Sequence, residues 1–146
     1  MRNDNSAPGE ASTSGKDAIR QLLHTSPFVD QLSIRLTDLQ PGVAKLTLPF
    51  AASFATLETN VPVGAIACLI DTAAMAAAWS GAKRAEKQRG TTLGLTIKYL
   101  AAANGEDLQA TARVLRHAQS LVYLDVEVRS PSGSLVAQGL VAYKLS

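Results

Sequence analysis

Hydrophobic and polar positions alternate with a period of two along the second half of the chain, and this pattern is typical of half-buried β-strands. The clearest case is Ser120–Arg129, where Val122, Leu124, Val126 and Val128 face one way and Tyr123, Asp125, Glu127 and Arg129 face the other. Turn signals at Asn104-Gly105 and Pro131-Ser132-Gly133 separate neighbouring runs and predict antiparallel hairpins. Four strands are predicted in this part of the chain: Thr91–Leu100, Asp107–Arg116, Ser120–Arg129 and Leu135–Leu145.

The first half of the chain contains one helical pattern and two further strands. Lys16–His24 has its aliphatic residues on one face, which predicts a short amphipathic helix with Ser14 as a candidate cap. Leu32–Leu39 and Val43–Leu48 flank the turn signal Gln40-Pro41-Gly42 and predict a hairpin. The polar residues 1–14 are predicted to be a disordered tail, and residues 15–146 a single domain.

One segment lacks a polar face altogether. After Pro62 the sequence is V-G-A-I-A-C-L-I-D-T-A-A-M-A-A-A-W, which predicts a long helix buried on all sides that runs through Gly81 to about Gln88, with Gly90 as its stop. Strands that surround such a helix must wrap it. Small side chains let a curved sheet approach closely: Ala65, Ala67, Ala73, Ala74, Ala76, Ala77 and Ala78. The expected fold class is α+β, a hot-dog fold in which an antiparallel sheet wraps one long central helix.

Composition and charge narrow the functional class. A chain of 146 residues, 47% hydrophobic and 18% charged, has the make-up of one soluble domain. A net charge of +2 does not favour nucleic acid as a partner. The N-terminus lacks the apolar stretch of a secretory signal, and the apolar helix is at the short limit for a membrane span and carries a central Asp71. The expected location is therefore cytoplasmic.

Asp71 is the candidate for chemistry, because it interrupts the apolar helix near its middle. An ionised carboxylate without partners costs several kcal/mol or more in such surroundings, so it must be hydrogen-bonded, protonated or functional. The alternative interpretation is a structural aspartate that caps a loop or pairs with a buried partner. Cys68 lies one turn earlier on the same face and is expected to be a small buried hydrophobic residue.

The segment P-V-G-A-I-A-C-L-I-D-T-A resembles the central-helix motif H-G-G-x-x-x-x-L-x-D-x-A of PaaI-like hot-dog acyl-CoA thioesterases. T-T-L-G-L-T-I-K-Y-L-A-A-A and G-S-L-V-A-Q-G-L-V-A-Y-K resemble later strands of that family, so the match runs from about Leu32 to the C-terminus. The resemblance implies hydrolysis of an acyl-CoA to free acid and coenzyme A without metal or redox cofactor. It also implies dimers joined edge to edge with the site at the interface, and often dimers of dimers.

The resemblance assigns roles to individual positions. Asp71 matches the catalytic carboxylate, acting as general base or as nucleophile. Val63 and Gly64 match the two glycines at the helix start, where the first N–H is usually the oxyanion donor, and Pro62 stands in place of the histidine. Thr92 matches a Ser or Thr that in some relatives reaches the site from the partner subunit and holds the attacking water. Its alternative interpretation is an ordinary strand threonine.

Substrate contacts are less sharply assigned. An Asn or Gln common before the motif has no clear counterpart, with Thr56 nearest and Glu58 and Asn60 close by. Met75, with Val63 and the alanines, is expected to shape an acyl pocket for a medium chain or an aromatic ring. Basic and polar residues near one hairpin are candidates for the phosphates and pantetheine of coenzyme A, or are simply solvated: Arg113, Arg116, His117 and Ser120.

Other interpretations stay open. The basic residues Lys83, Arg84, Lys87 and Arg89 could contact coenzyme A, although a solvated face is favoured. A non-catalytic acyl-CoA-binding protein would keep the same pocket, because Pro62-Val63 departs from the His-Gly pattern. A structural subunit with a collapsed pocket is the third reading.

Overall fold

The computed structural model describes residues 8–57, 59–81 and 89–146. Its elements in chain order are α1 (Pro8–His24), α2 (Pro27–Gln31), β1 (Arg35–Gln40), β2 (Val43–Leu48), α3 (Val63–Ser80), β3 (Gly90–Tyr99), β4 (Leu108–Ala118), β5 (Leu121–Arg129) and β6 (Leu135–Leu145). The strands form one six-stranded sheet in the order β1-β2-β4-β5-β6-β3, and every neighbouring pair is antiparallel. The predicted α+β class and hot-dog fold are confirmed.

The sheet wraps α3, which contacts all six strands. Leu69, Ile70, Ala73 and Ala74 are completely buried, so the helix packs on most of its circumference. The approach of β6 is so close that a Cβ at Gly139 would lie 2.8 Å from Cγ2 of Ile70. By length and composition α3 could cross a membrane, but in this fold it is the core helix, as predicted.

The interior of the sheet follows the predicted alternation. Val122, Leu124, Val126 and Val128 of β5 point inwards and are at most 1% exposed. The hairpin of β1 and β2 turns at Gly42, whose φ of +78° is readily adopted only by glycine. Three elements occupy nearly the predicted ranges because turn residues mark their ends: β2, β5 and β6.

The N-terminal helix is longer than predicted. α1 begins at Pro8 rather than Lys16, so it includes residues 8–14 of the predicted tail, and Ser14 lies inside the helix instead of capping it. A proline at the first position of a helix loses no hydrogen bond, and its φ is already helical. Residues 1–7 lie outside the described residues.

The prediction that α3 continues past Gly81 is wrong, because α3 ends at Ser80 with Gly81 as its C-cap. The Ser80 hydroxyl donates to the Ala77 carbonyl at 2.6 Å and accepts the Gly42 N–H at 2.8 Å, which ties the last turn to the β1–β2 hairpin. Gly90 begins β3 rather than ending the helix, and residues 82–88 lie outside the described residues.

The short helix α2 was not predicted. Ser26 caps it, since its Oγ accepts the N–H of Val29 at 3.5 Å, and Pro27 occupies its first turn. Residues of α1 and α2 line the cleft that also contains Asp71, so these helices help to define the candidate site.

Candidate active site

The carboxylate of Asp71 is held by a threonine from the neighbouring strand. Asp71 lies near the middle of α3 and is half-buried, and Thr92 Oγ1 of β3 donates a hydrogen bond of 2.6 Å to its Oδ1. The described residues donate no other hydrogen bond to this carboxylate. Thr92 and Asp71 thus meet within one chain, and the role of Thr92 in holding the attacking water stays a prediction.

A cleft of about 420 Å³ opens beside this pair. Its lining comes from α1, α2, α3, β3, β6 and the residues between the first two helices: Leu22, Leu23, Ser26, Val29, Asp71, Thr72, Met75, Gly90, Thr91, Thr92 and Tyr143. The predicted residues Asp71, Met75 and Thr92 thus meet in one cavity. The remaining wall mixes the aliphatic Leu22, Leu23 and Val29 with hydroxyl-bearing residues, so it offers both apolar contact and hydrogen bonds to a ligand.

Helix and strand geometry explain why these side chains converge. Asp71 and Met75 are four residues apart and share one face of α3, with Trp79 one turn further along that face. On the sheet, Thr92 of β3 is paired with Tyr143 of β6. The register of β3 shifts between Thr92 and Gly94, and an irregularity of this kind re-aims side chains beside functional sites.

Tyr143 is a cavity residue that the sequence analysis missed. Its side chain is 4% exposed, and its hydroxyl oxygen accepts the Trp79 indole N–H at 2.9 Å. Burial raises the pKa of Tyr143 above 10.0, the Trp79 hydrogen bond opposes that rise, and the charge of Asp71 adds to it. A Cβ at Gly90 would lie 2.8 Å from two atoms of the tyrosine ring, so the glycine makes room for it. The sequence signal that could have identified Tyr143 is an aromatic residue on the inner face of the last strand.

Cys68 was predicted to be a small buried residue, and in the structure it is half-buried. Burial raises the pKa of its thiol, the hydrogen bond with Thr72 lowers it, and the nearby Asp71 charge adds to the rise. A raised pKa keeps the thiol protonated and weakly nucleophilic.

The start of α3 is separate from this cavity. Pro62 is the N-cap, Val63 is 57% exposed, and a Cβ at Gly64 would meet nothing within 4 Å. Among the described residues, no acceptor receives the N–H groups of Val63 and Gly64, as is usual for a first turn. Asp71 follows Val63 by eight residues, which is about 12 Å along a helix axis.

Thr56 and Asn60 lie in the loop before this helix start. They form an isolated bridge with each other, and Asn60 forms a second one with Asn104. Neither residue lines the cavity beside Asp71. Glu58, the third residue considered at this place, lies outside the described residues.

The candidates for coenzyme A contact are also remote from this cavity. Arg113, Arg116 and His117 are exposed on β4, and Ser120 lies in the turn before β5. None of the four lines the cleft that the described residues form around Asp71. Arg89 is exposed, whereas Lys83, Arg84 and Lys87 lie outside the described residues, so a role for either group stays a prediction.

Comparison with known proteins agrees with this fold. The model of the thioesterase superfamily matches residues 63–137, about half of the chain, and includes α3 with Asp71. Comparison with curated protein sequences gives no match.

Solved structures extend the similarity to nearly the whole chain. The PaaI protein of the Escherichia coli phenylacetic acid degradation operon is 20% identical, with a TM-score of 0.81, and the match covers 92% of this chain and 94% of that one. A conserved Pseudomonas aeruginosa protein is 25% identical, with a TM-score of 0.76, covering 86% and 98%. A hypothetical thioesterase from Streptococcus pneumoniae, solved with coenzyme A, is 16% identical, with a TM-score of 0.75, covering 86% and 95%. The chain therefore belongs to the thioesterase superfamily, as a thioester hydrolase with a PaaI-like hot-dog fold.

Proposed function

We propose that this protein is an acyl-CoA thioesterase that hydrolyses a medium-chain or aromatic acyl-CoA to the free acid and coenzyme A. The observation that carries the proposal is the Asp71 carboxylate, held by Thr92 at the edge of a cleft that aliphatic and hydroxyl-bearing side chains line together. The similar Streptococcus pneumoniae structure with coenzyme A supports this substrate class. The reaction needs only water, the carboxylate and hydrogen-bond donors, and we place it in the cytoplasm.

Two chemical routes use the same carboxylate. As a general base, Asp71 takes a proton from water while the water oxygen bonds to the thioester carbon, and the C–S bond then breaks to release coenzyme A. As a nucleophile, a carboxylate oxygen bonds to that carbon and expels coenzyme A, and water then cleaves the resulting anhydride. A single turnover in water labelled with heavy oxygen separates them, because only the nucleophilic route can place the label in Asp71.

The reacting carbonyl also needs hydrogen-bond donors for its developing negative charge. The free N–H groups at the start of α3 suit this task, but in one chain they lie about 12 Å from Asp71 along the axis. A single carbonyl cannot contact both. We therefore propose that Val63 and Gly64 of one copy act with Asp71 and Thr92 of a second copy, in a homodimer.

The surface around β3 supports this dimer. Among the described strands, β3 lies at an edge and pairs with β6 alone, and its residues Leu95 and Tyr99 are 41% and 44% exposed. The Tyr99 hydroxyl donates to the Val63 carbonyl at 3.2 Å, so the helix start and this edge are one continuous surface. Pairing of two β3 edges would cover the apolar residues and bring in the second helix start. A homotetramer would add contacts on the outer face, where Leu140 is 57% exposed.

Thiol release from a panel of acyl-CoAs tests the function. Wild type is expected to release thiol, whereas Asp71→Asn and Asp71→Ala should lose about 10²–10⁴-fold in kcat. The matched control is Cys68→Ala, one turn earlier on α3, which should remain active. If Asp71→Ala is as active as wild type, the proposed mechanism is wrong. A binding protein would instead retain intact thioester without releasing thiol, and a structural subunit would do neither.

A further inference from the structure

The hydroxyl of Tyr143 is a buried polar group with an unused donor. Its oxygen accepts the Trp79 N–H at 2.9 Å, so the hydroxyl proton must point elsewhere. Among the described residues no acceptor receives this proton, although the side chain is only 4% exposed. A buried hydroxyl without an acceptor costs free energy unless water or a ligand pairs with it. Since Tyr143 lines the cleft, the cleft is where that partner would be.

The position of this hydroxyl is fixed by three neighbours. The backbone of Tyr143 is paired with that of Thr92, and the Thr92 side chain holds Asp71. The backbone of the tyrosine therefore lies near the carboxylate. Its ring crosses Gly90, where a side chain would collide with it. Its oxygen is bound to Trp79, two helical turns beyond Asp71. The hydroxyl therefore lies towards the Trp79 end of the cleft, roughly 5–11 Å along the helix axis from the reacting centre.

Four aliphatic side chains are among the surroundings of the hydroxyl. Leu22, Leu23, Val29 and Met75 line the same cleft and offer no hydrogen bond. Ser26, Thr72, Thr91 and Thr92 also line the cleft, but the hydroxyls of Thr72 and Thr92 already donate to the Cys68 carbonyl and to Asp71. A few placed polar groups beside aliphatic side chains are the arrangement by which a pocket fixes the orientation of a ligand. A wholly aliphatic acyl chain would leave that donor unpaired, whereas an oxygen at the matching place would accept its proton.

We propose that Tyr143 is a specificity-determining residue, which donates a hydrogen bond to an acceptor oxygen on the far part of the acyl group. The preferred substrates are then acyl thioesters with an oxygen some distance from the thioester carbonyl. This inference rests on the proposed thioesterase function. It narrows the proposed medium-chain or aromatic acyl groups to those that carry such an oxygen. Trp79 acts as a positioning residue, since it touches the tyrosine and orients its oxygen.

A matched pair of substrates isolates the effect of the oxygen. Octanoyl-CoA and its analogue with a ketone at the penultimate carbon have similar shapes and differ by one acceptor. Wild type is expected to favour the ketone about three- to tenfold in kcat/KM, the range for one hydrogen bond between neutral groups. In Tyr143→Phe, which removes only the hydroxyl, this ratio should fall to about one. In Trp79→Phe it should fall part of the way, and in Cys68→Ala it should stay as in wild type.

The ratio separates selectivity from structure. If the role of Tyr143 is purely structural, Tyr143→Phe lowers the rates for both substrates by the same factor and leaves the ratio unchanged, which would overturn the inference. Equal rates for both substrates in wild type would overturn it as well. Thermal unfolding of Tyr143→Phe shows whether the variant folds. If wild type releases no thiol, the proposed function fails, but binding still decides this inference. Calorimetry with the matching coenzyme A thioethers should then show the same preference, lost in Tyr143→Phe, and equal affinities in wild type would contradict it.

Discussion

The strands β5 and β3 flank the same neighbour, β6, and both are rich in aliphatic residues, yet their environments differ sharply. The inward residues of β5, such as Val122 and Val126, are at most 1% exposed, whereas Leu95 and Tyr99 of β3 are 41% and 44% exposed. The difference arises because α3 covers the inner face of β5 and leaves much of β3 bare. Burial here depends on what lies over a strand rather than on its own pattern, and the uncovered strand is the one that carries Thr92.

This contrast divides the fold into a support and a reactive side. The support consists of β2, β4, β5 and α3, packed around completely buried residues such as Leu46 and Leu69. The reactive side consists of β3, the start of α3 and the cleft beside Asp71. A surface left open by one chain is available for substrate and for a second copy.

The largest effect is expected at the start of α3, on the reactive side. Val63→Pro removes the proposed oxyanion donor and suits a first helical position, and the extended Pro62, at ψ 144°, accepts a following proline. We expect kcat to fall about 10²–10³-fold with little change in the unfolding temperature. Val63→Ala keeps the N–H, so its kcat should fall far less. Thiol release at saturating substrate measures both, and near-normal turnover by Val63→Pro would remove the helix start from the mechanism.

The second effect concerns the open edge of β3. Leu95→Glu places a charge on the surface that a second copy should cover, so we expect a monomer with little thioesterase activity. Leu115→Glu is the matched control, because Leu115 is 61% exposed on β4, which β5 and β6 separate from β3. Mass measurement in solution should find the dimer in the control only. A monomeric wild type, or a dimeric Leu95→Glu, is incompatible with dimerisation through β3.

A third experiment compares the two strands by stability. Val126→Ala in β5 removes completely buried methyl groups and should cost roughly 2 kcal/mol at any protein concentration. Leu95→Ala in β3 should cost less than about 0.5 kcal/mol where the chain is dilute and monomeric, and more as the protein dimerises. Urea unfolding over a range of concentrations measures both. If the loss of stability in Leu95→Ala does not depend on protein concentration, as in Val126→Ala, the proposed contrast between the strands is contradicted.

The smallest effect is a loss of stability in alkali. Burial raises the pKa of Tyr143 above 10.0 and that of Cys68 above 9.0, so the folded protein holds both protons more tightly than the unfolded chain does. Their contribution to the stability of the folded state is complete at pH values below these ordinary pKa values. It is lost as the pH rises through the raised pKa of each group. The unfolding temperature of wild type should therefore fall more steeply above pH 9 than that of Tyr143→Phe with Cys68→Ala. Parallel curves would contradict this prediction.

Local patterns predicted the support side well. The alternation of β5, the apolar α3 and the turn glycine at position 42 are short-range features, and each was recognisable from neighbouring residues. Asp71 was found because a charge in an apolar helix is anomalous whatever the fold.

The reactive side depended on contacts between distant parts of the chain. Tyr143 reaches the site because β6 pairs with β3 and because Gly90 has no side chain, and neither fact is visible at Tyr143 itself. The exposure of Leu95 was equally hidden, since its pattern is that of a covered strand. The end of α3 was missed because Ser80 is tied to Gly42, which is 38 residues away.

The most direct test of the shared site combines two inactive chains. Asp71→Asn and Val63→Pro are co-expressed with different affinity tags, and the mixed dimers are purified through both tags. Each mixed dimer then has one site with both changes and one site with neither, so about half of the wild-type thiol release per dimer should return. If the mixed dimers stay as inactive as their parents, the helix start and Asp71 of different copies do not act on the same thioester.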